Sequence, residues 1–105
     1  MDFDCLELDT VVGFDWDEGN LYKNEKKHGL KWQEIEEIFF NRPLFAKEDF
    51  KHSLTEQRCF ALGMTDEKRE IYVVFTKREE YIRVISARLM NKKEREIYEK
   101  AKRDS

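Results

Sequence analysis

Arginine, lysine, glutamate, histidine and tyrosine side chains fall at the ends of predicted strands and the starts of predicted helices. Together they suffice for one metal-free reaction, cleavage of RNA by its own 2′-hydroxyl. A base takes the 2′-proton, a cation stabilises the phosphorane and an acid protonates the leaving 5′-oxygen. Arginine suits the middle role, because its planar fork grips two phosphate oxygens and stays charged. The residue types permit this chemistry without pointing to it. Other chemistries lack their signatures. His28 and His52 are far apart and belong to no His-x-x-x-His or Cys-x-x-Cys spacing, so no metal site is expected. The glycines at 13, 19, 29 and 63 are isolated, and no Gly-x-Ser-x-Gly elbow exists.

These side chains need elements to hold them. Val11 to Trp16 is β-prone and predicts a first strand. Asp15 and Asp17 are good N-caps for a polar helix ending at His28, with Gly29 in the left-handed position beyond it. A second helix is predicted from Lys31 to Asn41, with Trp32, Ile35, Ile38 and Phe39 as its apolar stripe and Pro43 ending it. From Leu44 the period turns to two. A short strand over 44–46, strands over 56–64, 70–76 and 81–88, and short turns between the last three predict an antiparallel meander. Asn91 and Glu94 form a capping-box pair before a terminal helix reaching about Lys102. The predicted class is α+β: a small antiparallel sheet, an N-terminal αα-hairpin and a C-terminal helix, with helices on one sheet face and the other partly open.

With 105 residues, 40% of them hydrophobic and 13% aromatic, the chain is the size of one domain and too rich in rings for wholesale disorder. The net charge of −3 is unevenly spread. Seven of the 23 acids stand within residues 1–18, which hold no lysine or arginine, so the rest is mildly basic and can meet a polyanion. No apolar run is long enough to span a bilayer, the start lacks the pattern of a signal peptide, and Cys5 and Cys59 suggest no disulfide framework. A soluble, reduced, cytoplasmic protein is expected.

Six segments together resemble the BrnT family of bacterial type II toxins. They are Phe14-Asp15-Trp16-Asp17; Asn24-x-x-Lys27-His28-Gly29; the stretch Trp32 to Phe39 with Pro43; Glu56-x-Arg58 with Gly63; Val84-Ile85-Ser86-Ala87-Arg88; and Glu94-Arg95-x-x-Tyr98. They cover roughly residues 13–99 in order. The resemblance implies a compact relative of the RelE-like ribonuclease fold and a metal-independent endoribonuclease, without cofactor, that inhibits translation. It also implies neutralisation by a cognate BrnA-like antitoxin carrying a ribbon-helix-helix domain, in a heterotetramer that reaches operator DNA only through the antitoxin. The alternative is a non-catalytic module of the same fold that binds a protein partner or RNA through its basic face. Two departures stand out. Trp32 replaces the more usual Phe, and residues 1–12 precede the family-like body as an acidic extension, so a single domain is expected over 13–105 that tolerates their removal.

Each candidate residue has two readings. Arg58 shares a strand face with Phe60 and Leu62, and Arg88 has the parity of Ile82, Val84 and Ser86. Such a cation is either paired, with Glu56 or Glu94 for example, or aimed at an anionic ligand, and the resemblance favours the scissile phosphate. Glu56 is the general base or a salt-bridge partner of Arg58. His28 is the general acid or a packing residue bonded to a terminal carbonyl. Lys27 contacts phosphate or is an ordinary surface cation, and Ser86 bonds phosphate or backbone. Glu94 caps the last helix, while Arg95 and Tyr98 support an RNA-binding face or dock the antitoxin.

Overall fold

The computed structural model describes residues 8–49 and 57–104. The β-branched and aromatic runs form the three long strands: β3 (Cys59–Met64), β4 (Glu70–Arg78) and β5 (Tyr81–Leu89). Two shorter strands extend this meander. β2 (Phe45–Glu48) pairs antiparallel with β3, and β1 (Gly13–Phe14) pairs parallel with β5, giving the order β1-β5-β4-β3-β2. The sheet is therefore mixed rather than purely antiparallel. Helix α1 (Lys23–His28) lies against β5, α2 (Trp32–Phe40) covers one face of β3 and β4, and α3 (Lys92–Arg103) follows the sheet.

The main core lies between α2 and the sheet. Ile35, Ile38 and Phe39 meet Ala61, Val73, Phe75 and Val84, all buried. Each of the larger side chains among them contributes about 1.5–3 kcal/mol by leaving water. Gly63 lies directly beneath this helix, where an added Cβ would stand 3.1 Å from Ile38 Cβ and from Leu44 Cδ1. The left-handed cap at Gly29, with φ of 67°, turns α1 into α2.

Other expectations change as well. Helix α1 begins at Lys23, because Asp17 Oδ1 accepts from Gly19 N and Asn20 Oδ1 from Asp17 N, and this local bonding replaces a first helical turn. The helices do not share one face. α3 packs on the opposite side, where Tyr98 joins Leu62 and Met90 in a second small core beside Phe45 and Tyr72. Within the acidic extension, residues 8–12 rest on the domain. Leu8 and Val11 pack on the main core, Lys77 Nζ donates to Thr10 Oγ1 at 2.6 Å and Val12 N to Glu80 O at 2.8 Å. Cys59 is disulfide-bonded rather than a reduced thiol, the other cysteine, Cys5, lying outside the described residues.

A bulge in β5 decides which way its side chains point. Val74 pairs with Ser86 but Phe75 pairs with Val84, so Ile85 is an extra residue. Ile82 and Val84 face the main core, and beyond the bulge so does Ala87. Ser86 and Arg88 therefore emerge on the other face. The parity reading had placed Arg88 with Ile82 and Val84, and the inserted residue reverses it.

Candidate active site

The sheet face opposite α2 carries Phe60 and Leu62 of β3, Tyr72 and Val74 of β4, and Ser86 and Arg88 of β5, by strand alternation and the observed register. Helix α3 covers the Leu62 end and leaves the remainder half-exposed. Across it runs a row of planar groups. The Arg88 guanidinium sits 4.2 Å from the centroid of the Tyr72 ring, and on the side of the neighbouring strand Phe60 stacks on Tyr72 with centroids 5.9 Å apart.

Glu94, in the first turn of α3, fixes the cation. Arg88 Nη1 donates to Glu94 Oε1 at 2.8 Å and Nη2 donates to Oε2 at 2.9 Å. The same carboxylate accepts from Asn91 N while Asn91 Oδ1 accepts from Glu94 N, closing the capping box. The Arg88 hydrogen bond holds the Glu94 carboxyl below the usual glutamate range against the opposing pull of burial, and Glu94 in turn raises Arg88. Burial raises the Tyr72 phenol, so it stays protonated at neutral pH. Of the five N–H donors on Arg88, two serve Glu94 and one serves Leu89 O at 3.2 Å. Among the described residues nothing takes the Nε–H and the second Nη2–H. The cation is thus anchored on one edge and open on another, with 37% of its side chain exposed.

The bulge beneath Arg88 is held from α1 and the turn before it. β1 ends at Phe14, so the edge of β5 beyond it lacks a strand partner. Asn24 Oδ1 accepts from Ala87 N at 3.0 Å, Asn20 Nδ2 donates to Val84 O at 3.0 Å, and Lys23 Nζ donates to Ile85 O at 2.8 Å. Both asparagines are buried, and they satisfy edge groups that would otherwise be orphaned. Asn24 in the Asn24-x-x-Lys27-His28-Gly29 segment is thus an architectural residue.

The other candidates are dispersed. Arg58, half-buried just before β3, shares the face of Phe60 by alternation, and its carbonyl accepts from Asp49 N at 2.7 Å. Glu56 lies outside the described residues, as does His52. His28 and Lys27 are exposed on α1, and no hydrogen bond, ion pair or ring contact joins either to Arg88 or Tyr72 among the described residues. Ser86 stands on the Arg88 face, opposite Val74. Arg95 is exposed and donates to Met90 O at 2.7 Å. Tyr98 is buried, its hydroxyl donating to Pro43 O at 2.7 Å and its pKa pushed up to about 12 by burial. It is a core residue. Tyr72 and Phe60 went unrecognised as site residues, since alternation alone does not reveal that they become neighbours on an open face. Arg83, also unrecognised, is engaged at the sheet edge by Asp17 Oδ2 at 2.9 Å and holds that carboxyl below its ordinary range.

The sequence profile described as "Ribonuclease toxin, BrnT, of type II toxin-antitoxin system" matches residues 16–94, three quarters of the chain. The chain belongs to the BrnT family. A solved structure agrees: the Brucella abortus ribonuclease toxin BrnT superposes with a TM-score of 0.54 at 25% identity, over 78% of this chain and all of that one. No curated protein matches. The matched interval of this BrnT-family chain includes the bulge, Arg58, Tyr72, Arg88 and Glu94, so the anchored cation lies within the family's shared part. Among the described residues no helix is long and apolar enough to cross a membrane.

Proposed function

We propose that this BrnT-family chain is a metal-independent endoribonuclease that arrests translation in the cytoplasm and is silenced by a cognate antitoxin of the BrnA kind, with a ribbon-helix-helix domain, in a heterotetramer. One observation carries the reading: Arg88 is pinned over Tyr72 by Glu94 while its Nε–Nη2 edge stays open. A fixed guanidinium with an open donor edge suits a phosphate whose charge grows during reaction, and a preorganised donor of this kind is worth about 10²–10³ in rate. Arg88 takes that role. Arg58 supplies a second positive charge toward the other end of the face, and Ser86 a hydroxyl beside Arg88. Tyr72, held protonated, is the acid the described residues offer for the leaving oxygen. Glu56 remains the base on the strength of family resemblance. His28 and Lys27 stay outside the chemistry.

The test is incubation with single-stranded RNA in the presence of a strong chelator, alongside the same RNA carrying 2′-O-methyl groups. Cleavage of the unmodified strand alone supports attack by the 2′-hydroxyl. No cleavage, together with unimpaired growth when the chain is expressed without an antitoxin, favours the binding-module reading.

A further inference from the structure

Beyond Phe60 the row of planar groups ends in a vacancy. An apolar slot of about 240 Å³ opens between β2, β3 and α3, lined by Phe45, Lys47, Phe60, Leu62, Ile97 and Ala101. Phe60 belongs to both places: it stacks on Tyr72 and it lines the slot. Lys47 is paired with Phe60 across the β2–β3 ladder and is exposed, while Ile97 is 53% exposed on the α3 side.

We propose that this slot binds one unpaired base of the RNA strand whose scissile phosphate Arg88 holds. The inference rests on the reading of this face as a ribonuclease site and adds where the strand lies and what selects it. Three features argue for a base. The slot borders the phenyl end of a guanidinium–phenol–phenyl row, so a planar ring entering it joins a row of planar groups. Its walls are almost wholly apolar, which suits a π-face and not a sugar or phosphate. A cation stands at each end of the row, Lys47 at one and Arg88 at the other, about three strand spacings or ~14 Å apart. Cations flanking a stacking platform are what a short single strand requires. Ile97 and Ala101, small or aliphatic side chains from α3, then bound the size of the base that fits, so the slot selects a nucleotide near the cut.

The test uses the intact chain and free nucleosides, which carry no phosphate and need no cleavage. Titration of adenosine, guanosine, cytidine and uridine is followed by the backbone amide shifts of Phe60, Leu62 and Ile97. The expected result is saturable shifts at these amides, strongest for one or two of the four. In Ile97→Trp, where the indole fills the slot from an exposed helix position, binding weakens roughly tenfold or more and the pattern of cleaved sites on a mixed-sequence RNA changes. An unchanged amide spectrum elsewhere shows that this variant folds. Absence of nucleoside shifts in a chain that cleaves RNA overturns the slot and leaves the ribonuclease reading intact. Nucleoside binding in a chain that does not cleave RNA does the reverse. Shifts produced only by an antitoxin-derived peptide make the slot a protein-docking site and overturn the proposal.

Discussion

Glu94 grips Arg88 through two parallel hydrogen bonds of 2.8 and 2.9 Å while also capping the helix on which it stands. One carboxylate thus joins the start of α3 to the end of β5 and sets the direction in which the guanidinium points.

This pair makes stability depend on acid. The Glu94 carboxyl is lower in the folded chain than in the unfolded one, so its contribution is present above the ordinary glutamate value and lost as pH falls through the folded value. Arg88 is more than a third exposed, so the contribution is about 0.5–1 kcal/mol after screening. Urea midpoints measured from pH 7 down to pH 3 are expected to fall less for Glu94→Gln than for the wild type, with the variant the weaker of the two at pH 7. Parallel pH profiles would show that the fork carries no stability.

Asn24→Ala leaves the buried Ala87 N–H without its acceptor. The expected cost is about 1–3 kcal/mol, read as a lower denaturation midpoint. Its neighbour Arg88 should also loosen, which an increase in motion of the Arg88 side chain by NMR would register. A variant as stable as the wild type would mean that water replaces the asparagine without penalty.

The Glu70 and Glu99 carboxyls influence each other's titration, with Arg95 and Lys102 nearby. Burial first, and then Glu99, raises the Glu70 carboxyl, whereas its interaction with Glu70 lowers Glu99. Glu70 is the more enclosed and sets the sign. A raised folded value means that stability is full below the ordinary glutamate range and is lost as pH rises through the folded value. Glu70→Gln is therefore expected to raise the melting temperature at pH 7 and to lose that advantage near pH 4. A lower melting temperature at pH 7 would contradict the direction.

The docking of residues 8–12 gives a fourth expectation. Leu8→Ala with Val11→Ala removes two partly buried side chains from the edge of the main core and should cost about 2 kcal/mol. A chain beginning at residue 13 should fold but melt lower. An unchanged melting temperature for the double variant would make this contact incidental and restore the picture of a dispensable extension.

What could be read in the sequence was local. The capping box at Asn91 and Glu94, the left-handed Gly29 and the uninterrupted β-prone run of β4 depend on residues a few positions apart, and each stands where it was expected. The direction of Arg88 was not legible, because it depends on one inserted residue, Ile85, that is defined only by the pairing of β4 with β5. The sequence does offer Glu94 both as a cap and as a partner for Arg88, and the structure shows it in both roles at once. The Tyr72–Phe60 stack joins residues on neighbouring strands. It appears only once the β3–β4 register is known. The element order places α3 on the same sheet face as the other helices, and its own apolar residues, Ile97, Tyr98 and Ala101, are few. The aromatic and aliphatic residues of the far sheet face supply the other half of its core.

The most direct test compares RNA cleavage rates of the wild type, Arg88→Lys and Arg88→Ala in the presence of chelator, each checked for folding by its amide spectrum. Cleavage should fall about a hundredfold or more in Arg88→Ala. Lysine should restore only part of it, because it is a point charge without the planar fork. Equal rates in a folded Arg88→Ala chain would contradict the account, since the cation held over Tyr72 would then have no part in the reaction.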